Sequence, residues 1–347
     1  MKRLICVFVL LTFCTMPVSA MEFTAPTAPD SAQMYMPEDT ESFADGVWYI
    51  FKAAVAALQP DFAKASGICL LLIAAVLILS VSNSLTKQEF GPTRLVGAVV
   101  IGILMLDSVD VLIQMGANTV VEMSEYSKLL LPVMTAAVAA QGGTSTSAAL
   151  YTGTVFFDSL LTTVIAKLVV PGVYIFLSLG IAECAVTHDV LKRVRKFVKW
   201  LMTWCLKIVL YVFTGYISVT GVISGSVDAS VLKATKLTIS GMVPVVGGIL
   251  ADASETVLLS AGFMKNTAGL YGIFALIAVC VNPFLQIGCQ YVLMKITCGI
   301  CSVFGYKPAV ELMDTFSTGM GIVLAMTGTV CIMLLISIVC FMKGMNG

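Results

Sequence analysis

The chain has 347 residues, of which 59% are hydrophobic and only 12% charged, and its formal net charge is zero. A soluble domain carries about 25% charged residues, so this chain cannot be wetted all round and must sit in the lipid bilayer. The same balance excludes nucleic acid as a partner, because that needs a clustered positive face.

Residues 1–20 read as a secretory signal. Lys2 and Arg3 form its basic start, Leu4 to Phe13 an apolar run too short to span, and Val18-Ser19-Ala20 a small-residue cleavage site. Cleavage places the new N-terminus, Met21, outside the cytoplasm. Residues 21–47 contain Glu22, Asp30, Glu38, Asp39, Glu41 and Asp45 but no Lys or Arg. Their composition predicts an acidic, disordered extracytoplasmic tail. Residues 48–64 are amphipathic, with Trp48, Tyr49 and Phe51 clustered, and predict an interfacial helix ending near Pro60.

Residues 65–343 predict an all-α fold: a polytopic, integral membrane helical bundle with some segments broken into half-helices by Pro and Gly. A crossing needs about 20 apolar residues. Residues 66–82 and 95–115 meet that need, the second with Asp107 and Asp110 near its far end. Residues 129–157 are uncharged but broken by Pro132 and by the run Gln141 to Ser147. Residues 159–185 carry Lys167, Pro171 and Glu183. Further spans are expected at 200–227, 266–294 and 315–342, with a Pro-Gly half-segment at 237–251.

The basic run between these spans fixes orientation. Lys192, Arg193, Arg195, Lys196 and Lys199 stand beside a span, which marks the cytoplasmic side by the positive-inside rule. They also form a candidate docking surface for a cytoplasmic partner or anionic lipid. With the tail outside, one or three crossings lie between residues 116 and 188. An internal repeat is suggested by a 112-residue offset, which lays Pro132 on Pro244 and Pro171 on Pro283. It relates residues 95–199 to 207–311.

Ionisable residues at membrane depth are costly and default to functional hypotheses. Asp158 and Lys167 are expected to form a buried pair, structural or part of a transport site. Asp228, Lys233 and Lys236 lie just outside a span, as a solvated turn or a pore mouth. Pro132, Pro244, Gly247 and Gly248 mark broken helices, which line a wet path or pack as a kinked pair. No phosphate-binding loop, zinc-protease motif or nucleophile elbow occurs, and His188 is the only histidine. The chain therefore reads as a non-enzyme without a cofactor or bound metal. Cys298-Gly-Ile-Cys301 is read as packing residues in a helix, since a zinc site needs four ligands.

Residues 218–260 join a span to Gly225-Ser226-Val227-Asp228, then Lys233 and Lys236, then Val243-Pro-Val-Val-Gly-Gly248. This pattern resembles the stage III sporulation protein AE family, polytopic membrane proteins of endospore-forming bacteria. The resemblance implies a subunit of a secretion-like channel complex joining mother cell and forespore, set in the mother-cell membrane around the forespore. It implies as partners the other membrane proteins of that complex and a cytoplasmic ATPase of the same operon, and a need for the protein in late forespore gene expression. The alternative from the residues alone is an autonomous, ion-coupled secondary transporter built on Asp158 and Lys167.

Overall fold

Long apolar runs in lipid must satisfy every backbone N–H and C=O internally, which leaves helices as the spanning form for such runs. The computed structural model describes residues 25–37, 42–86, 91–140, 144–186, 189–220 and 267–344, and no strand occurs among them. The helices are α1 (Asp30–Gln33), α2 (Phe43–Ala57), α3 (Gln59–Thr86), α4 (Gly91–Ala140), α5 (Thr144–Val164), α6 (Val170–Ala185), α7 (Asp189–Val219), α8 (Thr267–Ser302) and α9 (Lys307–Gly344). A π-helical turn, Ile165–Val169, joins α5 and α6 into one rod. Among the described residues, six rods are long and apolar enough to cross a membrane: Gln59–Leu85, Leu95–Ala140, Ser147–Ala185, Asp189–Val219, Gly269–Ser302 and Lys307–Lys343. The protein is a multi-pass helical bundle.

Helix α9 is the axis of that bundle. Phe316, Met320, Val323, Met326, Val330, Met333 and Phe341 recur every three or four residues, apart from one longer gap, and are all buried. Facing them, α4 buries Met105, Val109, Ile113, Val120 and Met123. A Cβ at Gly116 would lie 2.7 Å from Val323 and 3.1 Å from Met326. Glycine is needed there because the α4 backbone closes directly onto α9.

Contacts give the direction of each rod. Asp61 meets Gln286 and Ser80 meets Phe304, so α3 runs parallel to α8. Gly97 lies beside Tyr306 and Gly272 beside Leu130, so α4 runs antiparallel to α8. Gly180 touches Thr315 while Thr154 bonds Ser337, so the α5–α6 rod runs antiparallel to α9. One crossing, rather than three, therefore lies between residues 116 and 188. The start of α7 lies at the end of the bundle that holds the α8–α9 connection. That end carries the basic residues expected on the cytoplasmic side and is called the cytoplasmic end below; residues 25–37 and the end of α9 lie at the opposite end, called the outer end.

Two expectations about the spans are corrected. Helix α4 runs unbroken for 50 residues, about 75 Å at 1.5 Å per residue, through Glu122, Glu125, Lys128 and Pro132. Pro132 therefore makes no break: it lies inside α4, which continues to Ala140, and the next described helix begins at Thr144. Proline removes one backbone donor, and the well-packed helix on either side continues across that single loss. Pro171 has a different outcome. The π-helical turn immediately before it inserts the extra residue that lets the ring sit in a continuous rod. Pro283 lies inside α8. Pro244, Gly247, Gly248, Asp228, Lys233 and Lys236 fall outside the described residues, as do the signal and much of the second repeat.

The tail is also corrected over residues 25–37, which dock on the outer end. Ala28, Ala32 and Tyr35 are spaced four and three apart and are buried on one face. The Ala28 N–H donates to the Tyr271 hydroxyl at 3.2 Å, and Ser31 donates to Glu122. Burial, and then the nearby Asp61 carboxylate, push the Tyr35 phenol above its ordinary value. Composition missed this because only three apolar side chains carry the docking. Ala32→Glu places a charge on the buried face and is expected to weaken docking by about 2 kcal/mol. Limited proteolysis of the purified protein checks it: cleavage between α1 and α2 accelerates in the variant and stays slow in the parent.

Candidate functional site

Three groups of polar side chains stand out in a bundle this apolar. The first is at the cytoplasmic end, where α6, α7 and α9 diverge around a cleft of about 490 Å³. Glu183, Asp189, Lys192, Arg195, Lys307 and Glu311 line it. Arg195 Nε donates to Glu183 Oε2 at 2.7 Å, and Arg195 Nη1 donates to Thr315 Oγ1 at 2.6 Å. The guanidinium also lies 5.7 Å from the centre of the Phe176 ring, within cation–π range. Lys192 faces the same cleft, whereas Arg193, Lys196 and Lys199 are exposed.

The structure thus divides the predicted basic set in two. Arg195 is an internal tie between helices, and the others are free to meet a partner or headgroups. Along the next turns of α7, Phe197, Trp200 and Trp204 are exposed, with ring centres 5.9 and 5.8 Å apart. This is the aromatic band expected where a span meets the interface.

The second group faces outward. On α4, Asp107, Asp110, Gln114 and Asn118 are spaced three, four and four apart and are exposed on one face. Tyr174 of α6 donates to Asp110 Oδ1 at 2.6 Å and accepts from Gln114 Nε2 at 3.0 Å. Gly116, between Gln114 and Asn118, lies against Val323 and Met326 near the midpoint of α9. A strip of carboxylates and amides therefore runs along the outside of the bundle at mid-depth. From sequence alone, Asp107 and Asp110 read as markers of a helix end. The spacing to Gln114 and Asn118 is the signal that they share a helical face.

The third group is in the core. Asp158 is 2% exposed, and its Oδ2 accepts from Ser124 at 2.7 Å and from Ser127 at 3.2 Å. The predicted pair with Lys167 does not form. Lys167 is exposed, and the ion pairs among the described residues are Glu183–Arg195 and Lys295–Asp314. The reason is helical phase: nine residues are about two and a half turns, which puts the two side chains on opposite faces of the rod. Sequence reasoning missed Ser124 and Ser127, since serines in an apolar helix give little signal on their own. No disulfide joins the nine described cysteines, and Cys298 and Cys301 are buried in α8. No cluster of three His, Cys, Asp or Glu residues suited to a metal occurs among the described residues.

A family profile described as Stage III sporulation protein AE (spore_III_AE) matches residues 34–344. The Stage III sporulation protein AE of Bacillus subtilis (strain 168) is 24% identical over 236 residues, which is 68% of this chain and 59% of that relative. The match thus spans less than two thirds of the relative's own length. No solved structure matches the chain.

Proposed function

This chain belongs to the stage III sporulation protein AE family, and on that premise we propose that it is a non-enzymatic membrane subunit of a secretion-like channel complex linking mother cell and forespore, needed for late forespore gene expression. It sits in the mother-cell membrane around the forespore. Its partners are the other membrane proteins of that complex and a cytoplasmic ATPase of the same operon, received at the cleft beside Lys192 and the exposed Arg193, Lys196 and Lys199.

The observation that supports a subunit role is the outward strip of Asp107, Asp110, Gln114 and Asn118. Ionised or amide side chains at membrane depth are costly in lipid and belong against protein or water. A bundle that turns such a strip outward at the level of α9's midpoint is complete only with a neighbour or a wet passage beside it. An in-frame deletion in the native spore-former, scored with a late forespore-specific transcription reporter, tests the role. The reporter is expected to fall silent after engulfment while early sporulation stays normal. Normal reporter activity and normal spores would overturn the proposal. Gln114→Cys and Asn118→Cys extend the test to the strip. In sporulating cells both are expected to react with a membrane-impermeant maleimide or to be shielded by a cross-linkable partner. Inertness to both reagents would place the strip in lipid.

A second reading, an autonomous ion-coupled transporter, is favoured by one observation, the polar core around Asp158. Lys167 takes no part in it, because it lies on the far face of the rod. This reading requires substrate accumulation by the purified protein alone in vesicles, abolished by Asp158→Asn.

A further inference from the structure

Asp158 carries an unsatisfied hydrogen-bond acceptor in the middle of the bundle. Its Oδ2 receives two serine hydroxyls, but its Oδ1 is buried without a hydrogen-bond partner. One turn along the same helix, the Thr162 hydroxyl is also buried and unpartnered. One turn back, Thr154 bonds Ser337 of α9 at 3.1 Å. Thr154, Asp158 and Thr162 are spaced four apart, so they form a polar ladder on a helix otherwise packed with leucine, valine and phenylalanine. Ser147, also buried, continues the ladder to the outer end of α5. A buried carboxylate without a compensating charge is expensive, and the unpartnered Thr162 hydroxyl one turn away adds to that cost. The ladder offers oxygen atoms to a guest in the core.

We propose that Asp158, Ser124, Ser127 and Thr162 form a binding site for a dehydrated sodium-sized monovalent cation in the core of the bundle. The ligand set is one carboxylate and three neutral hydroxyls, all hard oxygen donors. One negative charge neutralises one positive charge, which suits an alkali cation. A divalent ion would leave a net charge in the core and ordinarily draws on more carboxylates. Transition metals favour imidazole or thiolate, and neither surrounds Asp158. With the cation in place, the serine hydroxyls can turn their lone pairs toward it, and the unpartnered Oδ1 and Thr162 Oγ1 gain a ligand. The site joins α4 to α5 and, through Thr154–Ser337, lies next to α9. Binding would therefore tighten α4 and α5 against each other and against α9, the bundle axis. The proposal is independent of whether the chain works in a complex or alone.

The test is thermal unfolding of the purified full-length protein in detergent, in sodium chloride against choline chloride at equal ionic strength. A ligand that binds only the folded state raises the unfolding temperature with its concentration. A sodium-specific rise is expected in the parent and is lost in Asp158→Asn. Ser127→Ala keeps the carboxylate and is expected to shift the sodium dependence to about tenfold higher concentration, which keeps the test usable if Asp158→Asn folds poorly. Equal stabilisation by choline, or a sodium-specific rise that survives Asp158→Asn, would overturn the proposal. So would stabilisation by acid with no sodium effect, which would make Asp158 a neutral, protonated acid.

Discussion

Glu183→Ala is expected to destabilise the folded bundle by about 3 kcal/mol, because it leaves the Arg195 guanidinium at the base of the cytoplasmic cleft without its counter-charge. The two side chains are only 12% and 16% exposed, so solvent screens them little. Arg195→Ala is expected to cost a similar amount, since it strands the Glu183 carboxylate and also removes the Thr315 bond and the contact with Phe176. The double variant should cost clearly less than the sum of the two, because no unpaired charge remains. Denaturant or thermal unfolding of the purified protein in detergent measures the three values. Single losses below about 1 kcal/mol would class the pair with ordinary surface ion pairs. The cleft would then not depend on it for its shape. The functional consequence is local. The pair holds α6, α7 and α9 together where the exposed basic residues of α7 begin, so its loss should also lower any affinity for a cytoplasmic partner.

Gly116→Leu is expected to cost about 3 kcal/mol or more and to lower the yield of folded protein, because the first added carbon already falls within 2.7 Å of Val323. Val323 and Met326 are fully buried and cannot swing into free space. Gly116→Ala isolates the smaller effect. It gains helix propensity but meets the same side chain, so a net loss smaller than that of leucine is expected. Gly215→Ala is the control, since nothing lies within 4 Å of a Cβ there. Retention of parental stability by Gly116→Leu would show that α4 and α9 can part at little cost.

The membrane class is legible from composition alone. The six rods are largely visible as uncharged stretches, because lipid imposes length and apolarity on every crossing. Inferences from single residues fail. Pro132 reads as a break, yet one lost hydrogen bond is outweighed by the packing of the buried Leu130, Leu131 and Met134 on either side of it. The acidic composition of residues 21–47 gives no hint that Ala28, Ala32 and Tyr35 dock. Asp158 and Lys167 pair by depth only if phase is ignored, and nine residues turn a helix to its opposite face.

By itself the sequence determined the solvent of this protein, its helical class and its family, because each depends on properties summed over long stretches. Only the tertiary structure decided which polar residues face inward, outward or toward each other. That choice depends on the rotation of each helix about its own axis and on close approaches such as Gly116 against α9. In a chain whose spans are apolar nearly all round, hydrophobic patterning leaves that rotation almost unspecified, and packing against neighbouring helices sets it.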